Sequence, residues 1–140
     1  MSKAIQSIRD GCVKLAERHA DIQVILLVGS YARGSQTAES DIDLVLMTDQ
    51  WEGYLDDAEW VGIFGNARER RIERYGLLTS VRAFFAGREI EFGFCGMEWI
   101  REPLDPGTER VLSDGYVVLY DRMGLMPAIC KNMTRIEGVI

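Results

Sequence analysis

Two aspartates at the start of an alternating segment offer the clearest chemistry in the sequence. The segment DIDLVLM spans residues 41–47, and its alternating apolar residues predict a β-strand. Residues two apart in a strand point to the same side, about 6.6 Å apart, so Asp41 and Asp43 project together. Paired carboxylates repel one another unless a cation lies between them, and Mg²⁺ suits one or two carboxylates plus substrate phosphates. Alone, however, D-x-D at a strand start is more often only a solvated strand end.

A turn just upstream supplies a second set of candidate groups. The apolar run IQVILLV, residues 22–28, predicts a buried strand that ends at Gly29–Ser30. Glycine lets the backbone approach a ligand closely, and free N–H groups at the start of a helical turn attract phosphate oxygens. The Ser30 hydroxyl would add a donor, and Arg33 a nearby cation. The same residues also fit an ordinary strand-to-loop turn, but only ten residues separate Ser30 from Asp41.

The two features together resemble a known signature. GSYARGSQTAESDID, residues 29–43, is similar to the motif of the DNA polymerase β-like nucleotidyltransferase superfamily, with Gly-Ser, a spacer and Asp-x-Asp at the next strand. The spacer resembles that of the minimal nucleotidyltransferases, which are similar to antibiotic adenylyltransferases and to the antitoxin partners of HEPN-type toxins. The resemblance is specific over residues 22–47 and looser over residues 77–95.

The resemblance implies a third acidic residue on a later strand, and REIEFGFC at residues 88–95 is the matching segment. Glu91 lies on the side of this strand opposite the apolar residues, so it would face the metal site. Glu89 shares that side and is the rival, but the mid-strand position favours Glu91. Superfamily members often have Asp here, so a glutamate is a mild departure that leaves open whether it acts as ligand, base or both.

The activity implied by the resemblance is transfer of a nucleoside monophosphate. ATP would donate AMP to a hydroxyl of a small molecule or a protein, two Mg²⁺ ions would assist, and pyrophosphate would leave. The implied metal-binding and catalytic residues are Asp41, Asp43 and Glu91. The implied nucleotide-binding residues are Gly29, Ser30, Arg33 and Ser40. Arg82 and Arg88, on the segment pair that carries Glu91, are further candidates for contacting the nucleotide.

Composition limits the alternatives. The 140 residues carry 16 Lys and Arg against 22 Asp and Glu, a net charge of −6, which argues against a broad nucleic-acid surface. An enzyme acting on polynucleotides is therefore the weakest alternative. An antitoxin-like module that neutralises a toxin-type protein partner is the stronger one, although the intact acid set argues against a fully degenerate site. Small-molecule and protein acceptors are not separated by the sequence.

Cysteine usage and the first residues suggest a compartment. Three cysteines occur without a C-x-x-C or Cys/His cluster, which argues against zinc and favours a reducing environment. The N-terminal SKAIQSIRDG carries charges where a signal peptide needs an apolar run, and no stretch is apolar enough to cross a bilayer. We therefore expect a cytoplasmic protein without a membrane partner.

The predicted architecture is an α/β (α+β) two-layer sandwich in which helices flank one mixed sheet, formed by a single domain over residues 1–140. Periodicity predicts helices over residues 3–19, 56–64 and 67–75, a short helix from Met97, and a C-terminal helix from Gly124. The predicted strands beyond the first two are a hairpin of 77–85 and 88–95 and a late strand at 116–121. The sequence DPGT, residues 105–108, is expected to form a turn.

Overall fold

The computed structural model describes residues 3–126 and 133–137. Within them, α-helices, 3₁₀ helices and strands alternate along the chain. The α-helices are α1 (Lys3–Arg18), α2 (Gly29–Arg33), α3 (Glu52–Asp56) and α4 (Pro106–Asp114), and the 3₁₀ helices are Glu59–Phe64 and Met97–Ile100. The strands are β1 (Val24–Val28), β2 (Ile42–Met47), β3 (Glu69–Tyr75), β4 (Leu78–Phe85), β5 (Arg88–Cys95) and β6 (Val117–Asp121).

The strands form one six-stranded sheet in the order β3-β4-β5-β2-β1-β6. Strands β2 and β5 pair in parallel, and the other neighbours are antiparallel, so the sheet is mixed. The parallel pair lies at the centre and brings the start of β2 beside the first half of β5. The predicted mixed sheet flanked by helices is confirmed.

The central strands are buried on both sides. Alternate residues of β1 and β2, such as Leu27 and Leu44, pack with α1 and the 3₁₀ helix Glu59–Phe64 in the larger core cluster. The intervening residues, such as Leu26 and Val45, join a smaller cluster with the second 3₁₀ helix and α4. Burying each large apolar side chain contributes about 1.5–3 kcal/mol relative to exposure. This double burial explains why β1 reads as a continuous apolar run.

Helix α1 shows how the sequence pattern becomes packing. Its apolar residues recur at helical spacing, and Ile8, Cys12 and Leu15 are all buried against the larger core. A Cβ on Gly11 would lie 2.7 Å from Phe64 Cε1, so glycine there allows the aromatic ring to approach the helix. None of the helices in the described residues has the length and apolar character needed to cross a membrane.

Most predicted elements are present. The first helix, both early strands, the 77–95 hairpin and the late strand are confirmed with small shifts in their bounds. The predicted helix over 56–64 forms as α3 followed by a 3₁₀ helix, and the helix from Met97 is a 3₁₀ turn ending at Ile100. The C-terminal helix expected from Gly124 falls largely outside the described residues.

Two sequence predictions were wrong. Residues 67–75 were expected to be helical, but Glu69–Tyr75 form strand β3, the exposed edge of the sheet. Tyr75 pairs with Leu78 across a two-residue turn in which Gly76 adopts φ 59°, so hairpin pairing overrides the helical charge pattern.

The expected turn at 105–108 is instead the start of helix α4. The Asp105 carboxylate accepts a hydrogen bond from the Gly107 N–H at 2.9 Å, and proline occupies the first helical position. Asp before Pro is a helix start signal as well as a turn signal, because proline lacks the N–H that a first turn leaves unpaired.

The β3–β4 turn supplies a test of the finding that Glu69–Tyr75 form a strand rather than a helix. Gly76→Ala places a side chain at positive φ, which we expect to lower the free energy of unfolding by about 1 kcal/mol. The matched control is Gly53→Ala in α3, where a Cβ meets open space at ordinary helical geometry and should be neutral or stabilising. Urea denaturation measures both. Equal midpoints for the two variants would contradict the hairpin.

Candidate functional site

The candidate acidic residues lie on neighbouring strands. The registers place Asp43 of β2 opposite both Val28 of β1 and Glu91 of β5, and place Glu91 opposite Arg82 of β4. We call Asp43, Glu91 and Arg82 the charged row. Asp41 immediately precedes β2, and its side chain points to the same side of the sheet as Asp43. Strand pairing therefore assembles groups that are 9 to 50 residues apart in the sequence.

Three carboxylates converge at the charged row. Asp41, Asp43 and Glu91 each offer one oxygen, and these oxygens all lie within 4.8 Å of one another. All three residues are half-buried. Glu89, the rival for the third position, is outside this group, and its carboxylate instead accepts a hydrogen bond from Arg82 Nη1 at 2.8 Å. The geometry thus favours Glu91 over Glu89 as the third acidic group.

Crowding changes the protonation of Asp43. Burial, the charge of Asp41 and a hydrogen bond with Glu91 together raise the pKa of the Asp43 carboxyl from 3.8 to about 8. The guanidinium of Arg82 opposes this shift without cancelling it. Without a metal ion, the site therefore retains a proton between two carboxylates near neutral pH.

Arg82 is the internal cation of the site. Its guanidinium donates to Asp41 at 3.2 Å, Glu91 at 3.2 Å and Glu89 at 2.8 Å. Its Nε donates to Glu73 of β3 at 2.8 Å, and Tyr75 donates to the other oxygen of that carboxylate at 2.6 Å. Desolvation opposes the guanidinium charge, but these acidic partners outweigh it and raise the pKa of Arg82 above its ordinary range. Arg82 therefore stays charged and offsets much of the local repulsion.

Gly29 allows the backbone to approach the acidic group. It adopts φ 74°, and a Cβ at this position would collide with Oδ2 of Asp43. Only glycine both accepts the left-handed conformation without strain and leaves room for the carboxylate. The turn and the Asp pair are therefore packed against each other, and the sequence motif reflects a real contact.

The other predicted nucleotide-binding residues do not all lie at the cavity that contains the acidic group. Ser30 and Arg33 lie in α2 directly after Gly29, and Arg33 lines the same cavity as Gly29, Asp43 and Glu91. Ser40 is turned into its own connection, where its hydroxyl accepts the Thr37 N–H at 2.8 Å. Ser40 does not line the cavity, so its contact with a nucleotide stays a prediction without support from the geometry. Arg88, at the far end of β5, lines a different cavity.

The acidic group opens into a cavity of about 380 Å³, which we call the site cavity. Its floor comes from β2, β4 and β5, and Val111 and Asp114 of α4 line it as well. A second cavity of about 490 Å³ lies where β1 begins and β2 ends, lined by residues such as Asp21 and Tyr54. That second cavity contains none of the predicted site residues, so its larger size does not outweigh the chemistry at the charged row.

The donor set fits a hard divalent cation. Three carboxylates provide only oxygen ligands, which Mg²⁺ prefers, and the cysteines among the described residues, Cys12 and Cys95, are buried elsewhere. Burial, followed by the neighbouring Asp41 and Glu91, raises the pKa of Asp43, and a cation beside these groups would favour the charged carboxylate instead. Asp41, Asp43 and Glu91 are therefore the residues that could hold the metal.

Sequence reasoning missed several contributors to the site. Arg82 was considered only as a nucleotide contact, because its four acidic partners come from separate segments. Glu73 and Tyr75 were assigned to a helix, so their approach to Arg82 was not foreseen. The C-terminal half was expected only to complete the sheet and wall the pocket, and α4 does line the cavity. The Gly76 turn was the signal that could have placed Glu73 on a strand.

The proton at Asp43 has a consequence for stability. An unfolded aspartate loses its proton near pH 4, whereas folded Asp43 keeps it to about pH 8. This group therefore stabilises the metal-free protein fully below about pH 4, and the contribution is lost as the pH rises from about 4 to 8. We expect Asp43→Asn, which is neutral throughout, to lack this pH dependence.

Thermal unfolding in EDTA between pH 5 and pH 8.5 measures the effect. Over this range the wild-type protein should lose more stability than Asp43→Asn, by up to about 1.4 kcal/mol for each pH unit below the folded pKa, with a corresponding fall in Tm. Asp10→Asn, on the exposed face of α1, is the control and should follow the wild type. Parallel curves for wild type and Asp43→Asn would show that the carboxyl holds no proton at neutral pH.

Removal of Arg82 should release the repulsion that it offsets. In EDTA we expect Arg82→Met to lower the free energy of unfolding by about 2 kcal/mol, because four partly buried carboxylates lose their cation. Mg²⁺ should restore part of this loss. Arg70→Met, on exposed β3, should change stability by less than about 0.5 kcal/mol. Urea denaturation distinguishes the two, and an Arg82 variant as stable as the Arg70 variant would refute this role.

Comparisons with known proteins agree with this geometry. Residues 11–74 match the family model described as polymerase beta, nucleotidyltransferase. No curated protein matches the sequence. A crystal structure of an aminoglycoside 6-adenyltransferase from Bacillus subtilis is similar in fold, with a TM-score of 0.53 and 13% sequence identity, covering 71% of this chain and 37% of that one.

Further structures resemble the chain more distantly. The Cid1 poly(U) polymerase has a TM-score of 0.48 and 18% identity over 66% of this chain and 30% of that one. A cytoplasmic RNA terminal U-transferase has a TM-score of 0.49 and 19% identity, again over 66% and 30%. The chain thus spans about a third of the length of these structures. The chain is therefore similar to the polymerase beta nucleotidyltransferase family over residues 11–74, and its fold is similar to that of the aminoglycoside 6-adenyltransferase.

Proposed function

We propose that the protein transfers a nucleoside monophosphate from a nucleoside triphosphate to a hydroxyl group in a Mg²⁺-dependent reaction. The observation that carries this proposal is the convergence of Asp41, Asp43 and Glu91, with oxygens within 4.8 Å, beside the close approach of Gly29. The glycine that admits a carboxylate against the backbone and the raised pKa of the half-buried Asp43 both support this interpretation.

The three carboxylates have the role of metal ligands. Asp41, just before β2, and Asp43 of β2 would hold Mg²⁺ together with Glu91 of the neighbouring strand β5, and two ions are expected from the superfamily resemblance. When bound, Mg²⁺ neutralises charge on the triphosphate and on the leaving pyrophosphate. Arg82 orients Asp41 and Glu91 through its two terminal nitrogens, which limits the freedom of both side chains before any substrate arrives.

The turn after β1 binds the triphosphate. Gly29 brings backbone N–H groups close to Asp43, Ser30 adds a hydroxyl donor, and Arg33 adds positive charge at the cavity wall. These groups compensate phosphate charge on the side of the site opposite Arg82. Placing the triphosphate here directs its α-phosphorus toward the three carboxylates.

The transfer step requires a proton acceptor. The acceptor hydroxyl oxygen attacks the α-phosphorus, the bond to the pyrophosphate oxygen breaks, and Glu91 takes the hydroxyl proton. Glu91 suits this role because its side chain is 19% exposed and lines the cavity, so it can meet a substrate. Catalysis then rests on positioning and charge compensation rather than on a covalent intermediate.

The donor and acceptor follow from the superfamily resemblance. ATP is the proposed donor, so that AMP is transferred, and the acceptor is a hydroxyl on a small molecule or a protein. The net charge of −6 suits a cationic acceptor better than a nucleic acid. Titrating the four nucleoside triphosphates separately determines the base preference.

Calorimetric titration of each nucleoside triphosphate, with and without Mg²⁺, tests the proposal. The wild type should bind at least one of them in a Mg²⁺-dependent manner. The Asp41→Asn/Asp43→Asn double variant should bind at least about 100-fold more weakly, because even residues that only support metal ligands affect affinity by 10–100-fold. Loss of Mg²⁺-dependent pyrophosphate release should accompany it.

A matched pair of variants separates the two glutamates. Glu91→Gln should lose Mg²⁺-dependent binding, whereas Glu89→Gln, which contacts Arg82 alone among the charged groups of the site, should retain most of it. Full activity of Glu91→Gln would remove Glu91 from the site. The absence of binding of any triphosphate under either condition would contradict the enzyme proposal as a whole.

A further inference from the structure

Strand β3 is an open edge of the sheet. It lies at one end of the strand order, and all but one of its residues are exposed. At the opposite edge, Tyr116 beside β6 exchanges backbone hydrogen bonds with Thr134 and Ile136. Within the described residues, β3 has no strand on its outer side. An edge of this kind presents backbone donors and acceptors with which another extended chain can pair.

The backbone groups that face outward belong to Arg70, Ile72 and Arg74. Tyr75 and Leu78 flank the two-residue turn, and the residues that flank such a turn are hydrogen-bonded to each other. Hydrogen-bonded and non-hydrogen-bonded pairs alternate along antiparallel strands, so every second residue back from Tyr75 bonds to β4. The residues between them therefore direct their N–H and C=O groups to the open side, where an added strand would meet them.

One face of β3 has its charges paired within the chain. On the face beside Arg82, Glu69 and Arg71 form an ion pair at 3.3 Å. Glu73 accepts hydrogen bonds from Arg82 at 2.8 Å and from Tyr75 at 2.6 Å. This face therefore offers little unpaired charge to a partner.

The other face carries unpaired cations around an apolar residue. Arg70 and Arg74 are exposed and form no ion pair within residues 3–126 and 133–137, and Ile72 between them is 52% exposed. Ile72 lies opposite Val81 of β4, which belongs to the larger core, so it extends that apolar surface to the edge. We call Arg70, Ile72 and Arg74 the edge triplet. Opposite charges directly across a sheet attract, so the triplet is complementary to an acid–apolar–acid pattern on a neighbouring strand.

We propose that β3 is a docking edge for an extended acidic segment of a partner protein, which adds a further strand to the sheet along the edge triplet. Backbone pairing holds the segment in place, its acidic side chains meet Arg70 and Arg74, and an apolar side chain between them covers Ile72. Nucleic acid would use the arginines alone, and it would leave the backbone groups and Ile72 without a partner. The inference does not depend on nucleotide transfer.

A second copy of the chain fits this edge less well. Symmetric antiparallel pairing of two β3 strands must centre on one residue, because only then do equivalent faces coincide. Centring on Ile72 places Arg70 of each copy opposite Arg74 of the other. The neighbouring alignments, centred on Arg71 or Glu73, place that residue opposite itself. Like charges directly opposite one another destabilise a sheet, so the edge disfavours self-association while accepting an acidic strand.

Two synthetic peptides test the docking edge. TETVTET presents glutamate, valine and glutamate on one face, whereas TKTVTKT replaces both glutamates with lysine. Both peptides read the same in either direction, so the orientation of the added strand does not affect the match. In fluorescence anisotropy titrations up to about 1 mM, the wild type should bind TETVTET at least about tenfold more tightly, because two attractive cross-strand pairs replace two repulsive ones.

Reversing the charges at the edge should reverse this preference. Arg70→Glu/Arg74→Glu should bind TKTVTKT at least about tenfold more tightly than TETVTET. Arg9→Glu/Arg110→Glu, at exposed positions of α1 and α4, changes the net charge equally and should keep the wild-type preference. This control separates local pairing from the overall charge of the protein.

A proline in the triplet tests the backbone contribution. Ile72→Pro removes an outward N–H group and should weaken TETVTET binding by about fivefold or more. Pairing with β4 should persist, because edge strands accept proline where the N–H faces solvent. Urea denaturation checks the fold of each variant. Arg70→Glu/Arg74→Glu imposes no backbone constraint, so it tests the proposal even if Ile72→Pro does not fold.

Each result supports or overturns the docking edge. Wild-type protein that binds neither peptide, or binds both equally, would overturn it. A dimer in analytical ultracentrifugation that Ile72→Pro abolishes would assign the edge to a second copy instead. Tighter binding of a single-stranded deoxythymidine oligonucleotide than of either peptide, lost in Arg70→Glu/Arg74→Glu, would assign it to nucleic acid. Selective binding of TETVTET that reverses in the charge-reversal variant supports the proposal.

Discussion

Repulsion among carboxylates on adjacent strands is the constraint around which this structure is organised. Asp41, Asp43 and Glu91 each have an oxygen within 4.8 Å of the others, because pairing of β2 with β5 places Asp43 beside Glu91. The fold tolerates them because Arg82 bridges several acidic groups and because Asp43 keeps a proton. The proposed Mg²⁺ would supply compensation of the same kind. On that proposal, the metal-free site holds unfavourable electrostatic energy that metal binding would release, which is the usual cost of a preorganised site.

The backbone around this group is adapted to it. Gly29 removes the one Cβ that would block Asp43, and the parallel pairing of β2 with β5 aligns Asp43 with Glu91. The edge hairpin contributes Glu73, which keeps Arg82 extended along the sheet. Strand β3 carries no predicted site residue, yet its Glu73 helps to position Arg82 on β4. It is therefore part of the site even though its side chains are mostly exposed.

The sequence predicted those strands and turns whose residue pattern lies within one short segment. The alternation in residues 41–47, the apolar run before Gly29 and the hairpin before Glu91 are each readable within one segment. Together with the motif resemblance, they gave the mixed sheet and brought the three acids to one side of it. The helix prediction for ARERRIERY was wrong because its charge pattern fits a helix. Pairing with β4 makes this segment a strand instead. The role of Arg82 as a bridge between several acidic groups was beyond prediction, because it depends on which strands become neighbours.

The charged row makes the site unusually sensitive to register. Side chains alternate across a sheet, so sliding the β4–β5 hairpin by one residue against β2 would turn Glu91 into the core and bring Phe92 to Asp43. Such a slip would also bury Arg82 among apolar side chains and expose Ile90. Arg82 and Glu91 thus disfavour the misaligned sheet together with the apolar residues of the hairpin. The groups proposed for chemistry consequently act during folding as well, by ensuring that the sheet closes in a single alignment.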